Sequence, residues 1–540
     1  VESGGTFKSG NTSGVPGFGF TAIPKFNASI NADVENIILQ PNSTVEYSRS
    51  QPPLSSGDQP ITTANGLIYQ NLVLSGTGNK TAPPDDLIIQ GNLSKTGTCT
   101  FVHNNGTVIF SGMAAQSYDA TFPQMIFNNL INKNKTALNV NSNLSVYKTL
   151  LLNDNSKINL NADITLKSDK NRTANVAKIP ANATINYNAG RFVVERYINS
   201  GSTPGNHGKS WQLLSAPVFG ETVFNSWQEH GDNAIAGFGT WITDPLGTAN
   251  GFDAISISPS IKKFNSLTQS WDGIGSTAIS ASDPNGYFVY VRGDRNVRDA
   301  ATSANPATLR VKGKLFRDDQ PPVIVTPDSY QSIANPYASV IDFSKLITSS
   351  IDNSFYVWDP SIQGNYSAGG YQTIAASTGF IAVPGASSIF ALNTDYRNIQ
   401  SGQAFMVHNS SLINGSIRFT EDCKIADGHH LVHREGAERQ MFFASLYNKD
   451  GFLADGNAVV FDEDFSNNTD GDDAVKMLNS GENFGIKRND RNFAIEARQP
   501  VSRPDTIFYD LRNLRQQNYR LVFVPKNIDQ GIRASLTDRF

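Results

Sequence analysis

The chain has 540 residues, of which 39% are hydrophobic and only 17% carry a charge, and its formal net charge is -4 with a pI near 6.0. Because this balance lacks the basic surface that binds phosphate backbones or anionic lipid, we expect no nucleic-acid partner. The length predicts several domains, and no apolar run is long enough for a transmembrane segment.

Residues 1–190 repeat short apolar segments that are separated by Asn, Gly, Asp and Thr. Residues 44–48 (TVEYS) return as residues 107–111 (TVIFS), and residues 68–72 (IYQNL) return as residues 126–130 (IFNNL). Such repeats are typical of stacked units that share one core. We therefore predict an all-β protein whose residues 1–190 form a parallel β-solenoid stalk, with about 20 residues per rung and roughly seven rungs.

A second kind of repeat begins after residue 190, where aromatic residues and prolines become denser. Residues 210–217 (SWQLLSAP) are echoed by residues 329–336 (SYQSIANP), at a spacing typical of one sandwich domain. We predict β-sandwich modules at residues 191–318 and 319–428, the second a duplicate of the first, and a third β-sandwich at residues 429–540. Helix is scarce in this prediction, and its best short candidates are residues 342–349 and 472–479.

The two cysteines, Cys99 and Cys423, fall in different predicted units, so a disulfide between them would have to join two domains. We expect both to be buried strand residues. Without paired or closely spaced cysteines, the sequence predicts neither a zinc site nor a disulfide framework.

The densest acidic run is residues 462–473 (DEDFSNNTDGDD), whose oxygens are of the kind that calcium prefers. Its spacing does not match an EF-hand loop. The candidate calcium ligands are Asp464, Asp470, Asp472 and Asp473. The competing interpretation is a solvated loop in which Asp470 or Asp472 caps a helix that begins near Ala474. Calcium is the one cofactor that the sequence suggests.

Three other motifs favour structural interpretations. The imidazoles of His429, His430 and His433 lack a nearby cysteine or carboxylate to complete a metal shell, so we predict a polar linker. The tripeptide Arg292-Gly293-Asp294, which integrins read, follows a predicted strand where a tight turn is expected. The five tryptophans could stack on sugar rings, but in sandwiches of this size most are core residues.

Many Asn-x-Ser/Thr triplets follow the repeats of residues 1–190. We interpret their asparagines and threonines as turn formers and ladder residues and not as glycan acceptors. The motifs of serine hydrolases (G-x-S-x-G), zinc peptidases (H-E-x-x-H) and phosphate-binding loops (G-x-x-x-x-G-K-S/T) do not occur in the chain. We therefore predict no catalytic residues and no enzymatic activity.

Three sets of short segments resemble those of a known group of proteins. They are residues 107–112 (TVIFSG) with 126–130 (IFNNL), residues 194–198 (VERYI) with 211–217 (WQLLSAP), and residues 334–343 (ANPYASVIDF). On these phrases the chain resembles the large surface and secreted proteins that Bacteroidota export through the type IX secretion system. The resemblance implies a signal peptide, a sorting domain, contact with the secretion machinery, and display at the cell surface or release, often as an adhesin or gliding motility protein. Asp505-Thr506-Ile507 is similar to the O-glycosylation motif of Bacteroidota, which implies modification of Thr506.

Together these observations predict an extracellular structural or adhesive protein that acts as a rod with binding modules. Its expected partners are surface glycans or other cells, and its open sheet edges favour self-association into a homo-oligomer or filament. The alternative is a secreted carbohydrate-binding or polysaccharide-degrading protein. Degradation requires clustered carboxylates beside a basic residue, whereas residues 1–190 offer mostly Asn, Thr and Ser.

Overall fold

The computed structural model describes residues 2–9, 39–50, 57–61, 63, 67–201, 208–233, 235–299, 301–362, 369–385, 396–425, 439–501, 505–529 and 531–538. The protein is 43% strand and 3% helical, which confirms the all-β prediction. The helical elements of the described residues are single 3-10 turns: Glu229–Gly231, Thr248–Asn250, Phe343–Lys345, Ala376–Thr378 and Glu421–Cys423.

The strands up to residue 198 are short and evenly distributed. They are β1 (Thr6–Ser9), β2 (Thr44–Tyr47), β3 (Gln59–Pro60), β4 (Asn71–Leu74), β5 (Asn79–Thr81), β6 (Asp86–Ile89), β7 (Leu93–Lys95), β8 (Thr100–Val102), β9 (Thr107–Phe110), β10 (Gln116–Ala120), β11 (Met125–Asn132), β12 (Leu138–Val140), β13 (Leu144–Leu152), β14 (Lys157–Leu160), β15 (Ile164–Leu166), β16 (Asn175–Val176), β17 (Thr184–Tyr187) and β18 (Phe192–Ile198). We call these strands the parallel region, because they pair with one another in parallel.

The parallel region forms two large sheets and one small sheet. An eight-stranded sheet has the order β1-β2-β4-β7-β10-β12-β14-β17, and a second sheet contains β6-β9-β11-β13-β15-β18. The small sheet has the order β3-β5-β8. From β3 to β15, each strand therefore lies in a different sheet from the strand before it. At one rung the two large sheets have the same pairing interval, since Leu138 pairs with Ile158 in one and Leu144 pairs with Ile164 in the other, at the same separation along the chain.

Alternating burial gives these sheets an apolar inner side. In β14, Ile158 and Leu160 are buried, while Lys157 and Asn159 are partly exposed. The inward Leu, Ile, Val and aromatic residues of successive strands join one continuous hydrophobic cluster. Because neighbouring strands lie in parallel register, each apolar side chain stacks on the equivalent residue of the next strand.

Strand β18 connects the parallel region to the next part of the chain. One edge pairs in parallel with β15, where Val194 lies opposite Leu166. The other edge pairs in antiparallel with residues 307–315, where Val194 lies opposite Val311. The second large sheet therefore continues without a break from parallel into antiparallel pairing.

The strands between residues 208 and 425 are mostly antiparallel. They are β19 (Ser210–Leu214), β20 (Val218–Phe219), β21 (Ile261–Asn265), β22 (Ser270–Gly273), β23 (Tyr287–Val291), β24 (Ala307–Leu315), β25 (Val323–Val325), β26 (Ser329–Ala334), β27 (Ile341–Asp342), β28 (Ile347–Ser349), β29 (Ser354–Asp359), β30 (Gly370–Ala375), β31 (Ala382–Val383), β32 (Asn398–Ile399), β33 (Ala404–Asn409) and β34 (Gly415–Arg418).

Two sheets in this part share the order of four strands, and the second has β31 as a fifth strand at its edge. The first is β19-β23-β21-β22, and the second is β26-β33-β29-β30-β31. Their registers also correspond, because Ser210 pairs with Val291 in the first and Ser329 pairs with Asn409 in the second. The similarity between residues 210–217 and 329–336 thus coincides with equivalent positions in the two sheets.

The two sheets contact each other through an aromatic cluster around Phe288. Its ring stacks on Trp211 with a centroid distance of 4.8 Å, lies 5.0 Å from Trp271, and meets Trp358 edge-on at 4.7 Å. Trp358 Nε1 donates a hydrogen bond to the backbone oxygen of Trp211 at 2.9 Å. Trp227 and Trp241 are buried elsewhere.

The described residues after 438 form one seven-stranded mixed sheet. Its strands are β35 (Gln440–Tyr447), β36 (Leu453–Phe461), β37 (Ala474–Val475), β38 (Asn483–Arg488), β39 (Arg491–Arg498), β40 (Tyr509–Arg512) and β41 (Arg520–Lys526). The order is β40-β38-β39-β36-β35-β41, with β37 paired to β39. We call this the C-terminal sheet. Ala375, Ile381 and Val383 of the preceding unit pack on one of its sides.

The prediction of short helices was wrong at both positions. Asp342 ends β27, and its carboxylate accepts a hydrogen bond from Ser344 N at 3.0 Å, which caps only the 3-10 turn Phe343–Lys345. Strand β28 follows directly. Residues 472–479 contain β37 and no helical turn. Each segment is too short to offset the cost of helix nucleation, and strand pairing satisfies its backbone instead.

Replacement of Leu160 by alanine tests the stacked core of the parallel region. Leu160 is fully buried, so Leu160→Ala should lower the free energy of unfolding by about 2–5 kcal/mol. Urea denaturation followed by tryptophan fluorescence and circular dichroism measures the change. The matched control is Asp154→Ala in an exposed turn of the same region, which should change the value by no more than about 0.5 kcal/mol. Equal effects of the two variants would contradict a core at Leu160.

Candidate functional site

The outer side of the eight-stranded sheet carries two columns of asparagine. In β12 and β14, the residues that alternate with the buried Leu, Ile and Val point outward, and in β17 Asn186 lies between the partly buried Ile185 and Tyr187. The first column contains Asn139, Asn159 and Asn186, which are adjacent in the strand register. The second column contains Asn141, Asn161 and Asn188, each of which lies two residues after a member of the first column. We call these six residues the asparagine face.

Each column is a continuous hydrogen-bonded ladder. In the first, Asn186 Nδ2 donates to Asn159 Oδ1, and Asn159 Nδ2 donates to Asn139 Oδ1, both at 2.7 Å. In the second, Asn188 donates to Asn161 and Asn161 donates to Asn141, again at 2.7 Å. In-register parallel pairing causes this geometry, because it holds identical side chains one strand spacing apart.

The ladders leave hydrogen-bond donors and acceptors of the asparagine side chains unused at the surface. A primary amide has two N–H donors and a carbonyl oxygen with two lone pairs, and a ladder position uses one donor and one lone pair. The remaining groups form an uncharged array that repeats at the strand spacing of about 4.8 Å. The residues of the second column are exposed. Such an array can exchange hydrogen bonds with the hydroxyl groups of an extended sugar chain.

In the acidic run of residues 462–473, Asp473 accepts hydrogen bonds from two backbone N–H groups. Its carboxylate is buried and accepts hydrogen bonds from Ala497 N at 2.9 Å and from Asp470 N at 3.0 Å. Burial, with smaller contributions from the charges of Asp470 and Glu496, raises the pKa of Asp473 to about 6. Burial and the charge of Asp470 also raise the pKa of Asp472.

The other candidate calcium ligands have local backbone roles. Asp470 Oδ1 accepts a hydrogen bond from Asp472 N at 3.0 Å, which forms a tight turn and not a helix cap. Asp464 is an exposed turn residue. Among the residues that the structure describes, no group of three His, Cys, Asp or Glu is arranged to hold a metal ion. Calcium binding at Asp464, Asp470, Asp472 and Asp473 stays a prediction.

Thr506 is exposed, and its backbone N–H contacts the carboxylate of Asp505 at 2.7 Å. Arg498 holds that same carboxylate in an ion pair of 3.0 Å. The hydroxyl group of Thr506 is therefore accessible to a modifying enzyme, and O-glycosylation there stays a prediction.

The integrin-type tripeptide is not displayed for recognition. Asp294 is only 2% exposed, and its carboxylate accepts hydrogen bonds from Gly237 N at 2.7 Å and Asn296 N at 2.9 Å. Arg292 donates to the backbone oxygen of Trp241 at 3.1 Å. These contacts agree with a structural turn. His429, His430 and His433 lie outside the described residues.

Both cysteines are free and buried, as expected, but neither lies in a strand. Cys423 ends a 3-10 turn, and Cys99 directly precedes β8. Burial raises the pKa of both thiols, which disfavours the reactive thiolate.

The ammonium group of Lys80 is also buried, and it donates hydrogen bonds to the backbone oxygens of Arg49, Gly57 and Thr77 at 2.7–3.1 Å. Sequence patterns offered no sign of this lysine's burial.

No protein family matches the chain, and neither a curated protein nor a solved structure shows significant similarity to it. No helix among the described residues combines the length and the apolar character that crossing a membrane requires.

The raised pKa of Asp473 predicts a pH dependence of stability. Its ordinary value is 3.8, and in the folded chain it is about 6, so the folded state binds the proton more tightly. The contribution of Asp473 to the free energy of unfolding should therefore fall as pH rises from 3.8 through about 6, by up to about 3 kcal/mol.

Urea denaturation of the wild type and of Asp473→Asn across this range measures the effect. The stability of the wild type relative to the variant should decrease as pH rises. Asp450→Asn, at an exposed turn, controls for the removal of one carboxylate. A difference between wild type and Asp473→Asn that stays constant with pH would contradict the assignment.

Proposed function

We propose that this chain is an extracellular structural and adhesive protein without catalytic activity, which binds surface glycans through its asparagine face. The observation that carries the proposal is the pair of asparagine ladders, because an uncharged array with a constant repeat is suited to a polymer whose hydroxyl groups also repeat. The six asparagines carry no charge, and the chain as a whole, with a net charge of -4, lacks the basic surface that phosphate backbones require.

The proposed scaffold is a parallel β-solenoid rod over residues 1–190 followed by tandem modules at residues 191–318 and 319–428. Support for the rod comes from the alternation of strands between sheets and from the equal pairing intervals of β12 with β14 and of β13 with β15. Support for a duplication comes from the shared strand order of the sheets that contain β19 and β26. A third sandwich at residues 429–540 stays a prediction, whose described part is the C-terminal sheet.

The proposed location is the cell surface or the medium outside it, reached by a type IX secretion route of Bacteroidota. Its support is the resemblance of residues 194–198, 211–217 and 334–343 to proteins of that route. The exposed Thr506 is consistent with modification during export. Among the described residues, β1 and β41 are edge strands with one pairing partner each, and their free edges are where copies of the chain could associate into filaments.

The glycan proposal predicts that the triple variant Asn141→Ala, Asn161→Ala, Asn188→Ala binds polysaccharide at least about tenfold more weakly than the wild type. Each substitution removes groups that contribute about 0.5–1.5 kcal/mol per hydrogen bond. Because the three residues are exposed, the variant should keep its fold. Binding to a panel of immobilised neutral linear polysaccharides measures the affinity, and a parallel assay detects soluble products.

The matched control is the double variant Asn468→Ala, Asn518→Ala, which removes exposed asparagines from the C-terminal unit. It should bind like the wild type. Failure of the wild type to bind any polysaccharide, or equal binding by the triple variant, would overturn the glycan proposal. Release of sugar fragments by the wild type would instead favour the polysaccharide-degrading alternative.

A further inference from the structure

A cleft of about 210 Å³ lies between the unit that contains β33 and the C-terminal sheet. Asp328 and His408 line it from one side, and Lys476, Asp490, Arg491 and Arg512 line it from the other. The two sides are held together by an ion pair of 3.1 Å between Arg491 and Asp328. In β29, the hydroxyl group of Tyr356 also donates to the backbone oxygen of Val475, a residue of the cleft wall, at 2.7 Å.

His408 lines the cleft and is held in place by hydrogen bonds. It is 4% exposed, and its Nδ1 lies 2.6 Å from Asp352 Oδ2. Asp352 Oδ1 accepts hydrogen bonds from the N and Oγ of Ser410 at 3.0 and 2.7 Å, so its carboxylate is fixed as an acceptor. Nδ1 is therefore the donor, and in the neutral ring Nε2 is an acceptor. Nε2 has no hydrogen-bond partner among the described residues.

A second acceptor is provided by Asn492. Its Nδ2 donates to Asp510 Oδ2 at 2.7 Å, while its buried Oδ1 has no partner among the described residues. A buried acceptor without a donor is unfavourable in the free protein, because its desolvation is uncompensated. Asn492 Oδ1 is closed to solvent, so His408 Nε2 is the acceptor that a hydroxyl donor of a ligand in the cleft can satisfy.

The arginines supply the complementary donors. Arg491 contacts Asp328 through one terminal nitrogen, and Arg512 contacts Asp510 through Nε. A guanidinium group has five N–H donors, so both retain donors that can bind a carboxylate. Val475 and Leu478 add an apolar wall, against which the C–H groups of a sugar ring can pack.

We propose that this cleft binds a carboxylate-bearing saccharide unit, such as a uronic acid residue of an acidic polysaccharide. The carboxylate contacts Arg491 and Arg512, and a ring hydroxyl donates to His408 Nε2. Inorganic phosphate fits less well, since it has no sugar ring to pack against Val475 and Leu478. This site is separate from the asparagine face and takes a ligand of different charge, so it goes beyond the proposed function.

The test is titration of the full chain with D-glucuronate, monitored by calorimetry and by the imidazole nitrogen signals of the protein. Glucuronate should bind with a Kd on the order of 1 mM and should shift the Nε2 signal of His408, which is identified by its loss in His408→Gln. The double variant Arg491→Gln, Arg512→Gln should weaken binding about 10- to 100-fold, as expected for loss of charge-assisted hydrogen bonds.

Arg533→Gln, at an exposed position away from the cleft, is the matched control and should bind glucuronate like the wild type. D-glucose, which lacks the carboxylate, and inorganic phosphate should bind at least about tenfold more weakly than glucuronate. No heat and no shift with glucuronate, equal binding of glucose or phosphate, or unchanged binding by the double variant would overturn the proposal. The triple asparagine variant should bind glucuronate normally, so the two proposals fail independently.

Discussion

The arrangement of the parallel region and of the antiparallel unit after it depends on the two-sided pairing of strand β18. Its parallel edge continues the register of β15, and its antiparallel edge pairs with β24 along the whole strand. A stack of parallel strands would otherwise end in a row of unpaired N–H and C=O groups. Tyr187, in the last strand of the eight-stranded sheet, accepts a hydrogen bond from Leu315 N at 3.0 Å. Strand β24 therefore covers the end of the second large sheet and contacts the last strand of the eight-stranded sheet through Tyr187.

Register is also what creates the asparagine face. A parallel pair in register places equivalent residues of successive repeats side by side. The same residue type at equivalent positions therefore forms a column across the sheet. The same geometry that aligns Ile158 with Leu138 in the core aligns Asn159 with Asn139 outside. A one-residue slip in one strand would place asparagine in the apolar interior. The core and the polar face thus specify the same register.

The cleft does not arise from the repeats, because its residues come from segments of the chain that are not repeated copies of one another. His408 depends on Asp352, which is 56 residues away in sequence, and Arg491 reaches Asp328 across 163 residues. Each of these residue types is common on protein surfaces, and nothing in their spacing indicated a site. The burial of Asp473 was equally hidden, because the acidic run suggested a solvated loop or a calcium site. Packing against β39 is what removed its carboxylate from water.

The sequence by itself determined the all-β class, the repeats of residues 1–190 and the similarity of residues 210–217 and 329–336. Short apolar alternation and recurring phrases are local properties, and local patterns specify strands and repeats directly. Only the tertiary structure decided that residues 342–349 and 472–479 are not helices, that Cys99 and Cys423 lie outside strands, and that Lys80 is buried. These outcomes depend on partners that are distant in the chain, since strand pairing and burial are satisfied by whichever backbone or side chain the fold brings near.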